Sequence, residues 1–388
     1  MQQSKIRVAV AMSGGVDSSV AASLLLRQGY QVFGIFAKTW TPEPGDGTTC
    51  TTVADRRDAL RVAAQIGIPL HTVDLEHEYR TGVIDHLFTG YARGETPNPD
   101  VLCNRIIKFG GLWRQAQVLG ATRLATGHYA RIEEEGRRKI ADRACRLLRG
   151  IDTNKDQSYF LWDIPREVLP SVLFPIGGLT KPEVRQLAHK FGLPVASKKD
   201  SQGICFLGQT DLQTFLSLRI PDRPGPIRNY QTGRIIGQHQ GVHRFTIGQR
   251  HGLGSLITSD RDQPKYVLAL DPTHKTVWVG QVALLERIGL KVGKFNWLTE
   301  RSIKEIGSLT NLTAQIRYRQ PPVACTLTRL TESSGHVQFR QSVRAATVGQ
   351  SIVFYDGDRL LGGGVIQSID LPLTKQFSRD IASKTVAV

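Results

Sequence analysis

The chain has 388 residues, 40% hydrophobic and 22% charged, and its 50 Lys+Arg against 34 Asp+Glu give a net charge of +16. That is the composition of a soluble globular protein, too long for one ordinary core, so two or three domains are expected. No apolar run approaches the roughly 18 residues that a membrane span needs, and the N-terminus enters a strand almost at once, so neither a secretion signal nor a membrane partner is expected. Five widely spread cysteines (Cys50, Cys103, Cys145, Cys205, Cys325) with no C-x-x-C pair argue against a disulfide framework or a zinc ribbon and for a cytoplasmic protein. The basic balance suits a polyanionic partner and is equally compatible with solubility alone.

The first 200 or so residues alternate short apolar runs with helical patterns, as βαβ units around a parallel sheet do. Strands are expected at Val8–Met12, Gln31–Phe36 and Leu70–Val73, and helices at Ser18–Gln28 and Val53–Ile66. A helix around Ile106–Leu119 precedes a strand and turn in "RLATGHYAR" (Arg123–Arg131), and Lys181–Phe191 reads as one more helix, with Pro182 at its start and Gly192 past its end. After Gly208 strands are short: Arg234–Gly237, Tyr266–Asp271 and Thr276–Gly280. From Ile288 the pattern is almost entirely period two, and the Asp-Gly pair in "YDGDR" (Tyr355–Arg359) signals a hairpin. The expected organisation is a Rossmann-like α/β domain over 1–211, a small central domain over 212–285, a β-barrel over 288–372 and a loose tail over 373–388.

Between the first strand and the first helix stands "AMSGGVDSS" (Ala11–Ser19). Gly14 and Gly15 let backbone N–H groups turn toward an anion at a helix N-terminus, where the dipole also favours negative charge. Ser13, Ser18 and Ser19 add hydroxyls. Asp17 would repel a phosphate unless a hard cation such as Mg²⁺ lay between them, so it is a candidate metal ligand. A plain glycine turn with Ser and Asp at the helix start is the competing reading. No G-K-[ST] follows, so this is not a Walker loop. "SGGVDSS" resembles the PP-loop of the ATP pyrophosphatases, which implies ATP cleavage between the α- and β-phosphates and adenylation of an acceptor oxygen.

Two cysteines stand out by context. Cys103, in "GETPNPDVLCNRIIKFG" (Gly94–Gly110), falls near a helix start and three residues after Asp100, where a thiol pKa is lowered. Cys205, in "KKDSQGICFLG" (Lys198–Gly208), follows Lys198 and Lys199, whose charges also favour thiolate. Cys145 and Cys325 lie in strand-like alternation and read as inert, and Cys50 is undecided.

These stretches together are similar to the tRNA-specific 2-thiouridylases (the MnmA/TrmU family). The resemblance runs in order through the PP-loop, "TPNPDVLCN", "ATGHYAR", "NKDQSYFL", "LFPIG", "KDSQGICF", "TIGQRHGLG", "IRYRQ" and "LGGGVI", over essentially the whole chain. It implies an ATP-dependent enzyme that adenylates the 2-oxygen of the wobble uridine in tRNAs such as those for Lys, Glu and Gln. Cys205 would then receive sulfur as a persulfide from a cysteine desulfurase or sulfur-relay protein, and Cys103 would attack the persulfide. A Cys103–Cys205 disulfide would remain, and Asp100 would act as general acid/base.

Further residues follow by matched position. Ala11, Met12, Ser13, Gly14, Gly15, Val16, Asp17 and Ser18 match the ATP loop, with Gly127 near the nucleotide; Ala37 stands where a methionine is expected beside adenine. Asn98, Pro99 and Asp100 match the turn that meets the flipped target base. His128, the loop residues Asn154, Lys155 and Asp156, and Arg317, Tyr318 and Gln350 in the barrel match tRNA contacts. The central stretch adds Arg219, Arg223, Arg228, Arg234, Arg244 and Arg250 against one acid, Asp222, which favours phosphate contacts over a merely solvated face. Rival readings are a PP-loop ligase that uses an amine, such as a lysidine synthetase or an amidotransferase, or a nucleotide-regulated RNA-binding protein. The first makes both cysteines dispensable, and the second makes Asp17 dispensable as well.

Overall fold

The computed structural model describes residues 6–41, 52–135, 144–200, 211–257, 263–301, 303–331 and 333–370. Cys50, Cys205 and the expected tail lie outside them. Strands β1 (Arg7–Ala11), β2 (Gln31–Lys38), β3 (Leu70–Asp74) and β4 (Arg123–Ala125) enter the first sheet. The hairpin β5 (Ala130–Glu135) and β6 (Ala144–Arg149) follows, and β7 (Val172–Leu173) returns to that sheet. Its order is β3-β2-β1-β4-β7, with every pairing parallel.

Period two sorts β1 between two cores. Val8 and Val10 face one layer with helices α1 (Val16–Arg27), α2 (Thr52–Ile66) and, beyond a long helical run, the later helix Lys181–Lys190. Ala9 faces the opposite layer, filled by helices from Glu76 to Ala92 and by that run, α3, composed of Pro99–Leu102, Cys103–Leu112 and Trp113–Val118. Strands covered on both faces read as continuous apolar runs, as β1 does. The helix Lys181–Lys190 (α4) has Pro182 in its first turn, Thr180 N–H donating to the Glu183 carboxylate at 2.7 Å, and Gly192 at φ +65° beyond its end.

The central unit is a four-stranded sheet, β8 (Gly225–Asn229), β9 (Ile235–His239), β10 (Tyr266–Asp271) and β11 (Thr276–Gly280), ordered β10-β11-β8-β9. It has its own core of Ile227, Ile236, Val242, Phe245, Val267 and Val277. Sequence patterning missed β8, whose five residues include a proline and only one fully buried side chain, Ile227.

Six strands form the C-terminal barrel: β12 (Glu286–Trp297), β13 (Leu312–Gln315), β14 (Val323–Thr328), β15 (Ser334–Arg344), β16 (Ser351–Asp356) and β17 (Arg359–Ile369). Pairing of β12 with β17 closes it. The turn between β16 and β17 centres on Gly357–Asp358, one residue later than the Asp-Gly pair suggests. Asp356 pairs with Arg359, and Gly357 takes φ +59°. The N-terminal domain and the barrel share a sheet, because β17 gives its first residues to β6, Arg359 opposite Leu148 and Leu360 opposite Leu147. Tyr159 reinforces the seam by donating its hydroxyl to the Ser351 carbonyl at 2.9 Å. Arg149 lies 3.7 Å above the Tyr355 ring, and Ser158 and Tyr355 hydroxyls are 3.0 Å apart.

Candidate functional site

In an open parallel sheet, ligands settle beyond the carboxyl ends of the strands where the order reverses. Here that point lies between β1 and β4. The loop after β1 carries Met12 to Gly15, and the turn after β4 carries Thr126 to His128, so two separately noticed motifs meet at one crevice. Gly14 adopts φ +72°, and a Cβ there would lie 2.2 Å from the Asp55 carbonyl oxygen, so only glycine fits. Gly127 rests on the first turn of α1: a Cβ would lie 2.6 Å from Ser18 N and 2.8 Å from Asp17 C.

The start of α1 is left open to a ligand. Gly15 is the N-cap and brings no side-chain hydrogen bond. The serines hold the loop instead: Ser13 N–H donates to Ser18 Oγ at 3.2 Å, and Ser19 Oγ donates to the Gly15 carbonyl at 2.7 Å. Ala11 and Ala37, at the ends of neighbouring strands, are partly buried against the layer that contains α3.

Asp17 is held by two donors on one oxygen. Its Oδ1 accepts from Tyr129 Oη at 2.9 Å and from Lys181 Nζ at 2.6 Å. Lys181 also meets Asp200 Oδ1 at 2.9 Å, and Asp200 meets Lys155 and Arg185, both at 2.6 Å. Burial works to raise the Asp200 carboxyl, but hydrogen bonds from Lys155 and Lys181 outweigh it and bring it down to about 2. Burial and the Asp17 carboxylate push the Tyr129 phenol far above its usual range, so it remains a donor. Mg²⁺ is commonly held by one carboxylate plus substrate phosphates. A single carboxylate in the first turn of α1, beside a helix start without a cap, fits that pattern. Among the described residues no three His, Cys, Asp or Glu side chains converge to hold a metal by themselves.

Lys198 stands at the same loop. Its ammonium meets Asp55 and Asp58, both at 2.8 Å, and donates to the Gly14 carbonyl at 3.0 Å, so it ties the loop to α2. Burial tends to lower the Lys198 pKa, and the two carboxylates more than reverse that. Its charge is paired at the loop, Lys199 is exposed, and Cys205 lies outside the described residues.

Helix α3 carries the Asn-Pro-Asp turn and Cys103. Asn98 caps it, its side chain accepting from Val101 N–H at 3.3 Å, and Pro99 occupies the first helical position. Asp100 is half-buried in the first turn and Cys103 is 8% exposed, three residues on. From Cys103 to Leu112 the backbone is wound as a π-helix, a form concentrated at functional sites. Cys325 is buried in the barrel core with its thiol pushed up to about 12, which suits the inert reading; Cys145 is half-buried on β6.

The residues expected to touch tRNA divide into two groups. Asn154 is exposed, whereas Lys155 is paired with Asp200, and Asp156 accepts from Gly150 N–H, Ser158 N–H and Arg149. His128 is buried between Thr126 and Lys108. Arg317 spans two domains by donating to the Ile247 carbonyl and to Thr347, both at 2.9 Å, and Tyr318 packs on Phe160 with centroids 4.6 Å apart. Gln350 donates to the Thr96 carbonyl at 2.8 Å. Of the six central arginines, Arg219, Arg228 and Arg244 bond to Asp85, the Gly233 carbonyl and Asp222, while Arg223, Arg234 and Arg250 are exposed. Sequence reasoning missed Lys181, Tyr129 and Asp200; Lys181 was visible only as a helix start and Tyr129 only as part of "ATGHYAR".

A glycine loop at a switch point, joined to a small sheet and a closed barrel, defines a nucleotide-handling α/β protein with two appended β units. Residues 6–209 match a family model described as a tRNA methyl transferase HUP domain, residues 213–281 a tRNA methyl transferase PRC-barrel domain, and residues 287–366 an aminomethyltransferase beta-barrel domain. The tRNA-specific 2-thiouridylase MnmA of Pseudomonas putida is 46% identical over 94% of this chain and 96% of its own length. That of Lysinibacillus sphaericus is 44% identical, covering 94% and 95%, and that of Xanthomonas campestris pv. campestris 44%, covering 98% of each. The chain belongs to the tRNA-specific 2-thiouridylase family.

Proposed function

We propose that this chain is a tRNA-uridine 2-sulfurtransferase that uses ATP to activate the wobble uridine of tRNA. The observation that supports the reading is the junction at the β1/β4 switch point of the loop Gly14–Ser18 with the turn Thr126–His128, together with Asp100 and Cys103 three residues apart on α3. Likeness to 2-thiouridylases over nearly the whole length supplies the acceptor.

Uridine O2 attacks the α-phosphorus; a P–O bond forms, the bond to pyrophosphate breaks, and pyrophosphate leaves with the electron pair. Asp100 takes the N3 proton. The loop amides and the α1 dipole hold the departing pyrophosphate, Lys181 fixes the Asp17 carboxylate, and Mg²⁺ at Asp17, when bound, neutralises phosphate charge. A protein donor of the cysteine desulfurase or sulfur-relay type delivers sulfur as a Cys205 persulfide. Cys103 thiolate attacks the inner sulfur of that persulfide, which forms the Cys103–Cys205 disulfide and releases hydrosulfide. Hydrosulfide attacks C2, the C–O bond breaks, and AMP leaves. An external thiol then reduces the disulfide.

The units 1–211, 212–285 and 288–372 divide the work into chemistry, linkage and RNA docking in this reading. Asn154, Arg223, Arg234 and Arg250 are the exposed members of the expected tRNA surface. Substrates are wobble-uridine tRNAs such as those for Lys, Glu and Gln, and the setting is cytoplasmic. No helix among the described residues is long and apolar enough to cross a membrane.

The test is single-turnover thiolation with ATP-Mg²⁺, tRNA and sulfide, read by nucleoside mass spectrometry. ATP-dependent 2-thiouridine, with the protein-donor route lost in Cys103→Ser and Cys205→Ser, is the expected result. AMP release without thiolation would point to another acceptor, and tRNA binding without AMP would overturn the enzymatic reading.

A further inference from the structure

Three ammonium groups around the crevice are paired with carboxylates among the described residues. Lys181 meets Asp17 and Asp200, Lys155 meets Asp200, and Lys198 meets Asp55 and Asp58. Lys108 is half-buried on α3, and no ion pair of it is found among the described residues. Its Nζ lies instead 3.3 Å from His128 Nε2, while His128 Nδ1 lies 2.7 Å from Thr126 Oγ1.

An ammonium only donates, so Nε2 is the acceptor, and the ring proton is assigned to Nδ1, facing Thr126. His128 is therefore a neutral imidazole, fixed by Phe109 and Phe174 at centroid distances of 6.2 and 5.9 Å. Burial and the neighbouring Lys108 charge both disfavour its protonation. A neutral acceptor orients the ammonium without cancelling its charge, and a partly desolvated cation gains much from an anion.

The position of Lys108 matters as much as its charge. In an i→i+5 winding, residue 108 lies a little more than one turn beyond residue 103, so Lys108 stands one turn further along α3 than Cys103. Its partner His128 follows Gly127, which rests on the first turn of α1. Lys108 thus stands beside the turn after β4 that rests on the start of α1.

We propose that Lys108 is a catalytic residue that holds the α-phosphate of the uridine adenylate, with His128 and Thr126 as its positioning residues. This rests on the thiouridylase reading. The PP-loop takes the pyrophosphate that leaves, so the phosphate that stays on the uridine needs its own donor. When sulfur attacks C2 and the C–O bond breaks, AMP takes the electron pair and its phosphate gains a negative charge. A fixed ammonium at that oxygen stabilises charge as it develops.

Lys108→Met, Lys108→Arg and Thr126→Val in the full chain test this, with ATP-Mg²⁺, tRNA and sulfide, following AMP and 2-thiouridine separately in single turnover. Lys108→Met is expected to slow AMP formation by roughly 100- to 1,000-fold, the cost of one such donor, while tRNA affinity stays within about threefold. Lys108→Arg should recover at least about tenfold of that loss, since it restores the charge. Thr126→Val should lower kcat with the KM for ATP unchanged. AMP formation at the wild-type rate in a folded Lys108→Met protein overturns the proposal; should that variant not fold, AMP formation in Lys108→Arg no better than in Lys108→Gln does so. A wild type that forms AMP without 2-thiouridine overturns the uridine acceptor and the thiouridylase reading; loss of that AMP in Lys108→Met then still assigns the ammonium to the α-phosphate, and its persistence overturns that too. A wild type that forms no AMP overturns both.

Discussion

Gly127→Ala perturbs the crevice at the point where its two loops touch. The added Cβ would lie 2.6 Å from Ser18 N, 2.8 Å from Asp17 C and 3.1 Å from Asp17 Cβ. Ordinary contact begins near 3.5 Å, so the α1 turn and the β4 turn must separate by about 1 Å. Two of the three contacts are backbone atoms, which cannot swing aside as a side-chain tip would. Overpacking of this kind costs about 1–3 kcal/mol. For a domain of this size each kcal/mol lowers Tm by roughly 2–4 °C, so a fall of roughly 2–12 °C is expected. The rate is more sensitive: a misplacement of about 1 Å at the reacting groups costs about 100-fold. Differential scanning fluorimetry and single-turnover AMP release read the two quantities. Gly178→Ala is the control, because a Cβ there meets nothing nearer than Ile151 Cδ1 at 4.0 Å. Wild-type AMP release from Gly127→Ala, at any Tm, would show that the contact between these turns does not set the nucleotide geometry.

Other perturbations probe the seams around the site. Tyr159→Phe removes the donor to the Ser351 and Ile316 carbonyls and should cost about 1–3 kcal/mol of stability in denaturant unfolding; an unchanged midpoint would deny Tyr159 its bridging role. Gln350→Ala frees Thr96, two residues before Asn98, and should lower saturated thiolation about tenfold with tRNA affinity within about threefold. A fall in affinity with turnover intact would instead make Gln350 an RNA contact. Burial raises the Asp163 carboxyl to about 6, and the half-exposed Arg105 guanidinium only partly offsets it. A carboxyl whose folded value lies above its unfolded 3.8 binds a proton more tightly when folded, so stability should fall as pH rises from 4 through 6. Asp163→Asn should flatten that part of the stability profile, and a slope unchanged by the substitution would assign it to another group.

Local chemistry made the glycine loop and the start of α3 legible in the sequence. The glycines of the loop, the Asn-Pro-Asp start of α3 and the apolar runs of β1 to β4 each declare their backbone through residues two to four positions away. The barrel was legible for the same reason, since period two survives wherever one face is buried. What could not be read was every feature that depends on residues meeting from distant parts of the chain. Lys198 meets Asp55 and Asp58, about 140 residues upstream, which its own sequence neighbourhood does not show. Asp17 looked like a lone carboxylate, because Tyr129 and Lys181, which bind it, lie 112 and 164 positions away. The tRNA surface shows the limit most clearly. Arg317 and Gln350 are polar, matched by position and near the barrel rim, all of which suits an RNA contact. In the fold they bridge domains, and Gln350 reaches the segment that leads into Asn98 and Asp100 at the start of α3. A clamp of this kind and an RNA contact require the same residue type, a long donor at a domain edge, so composition alone does not distinguish them. A turnover loss without an affinity loss does.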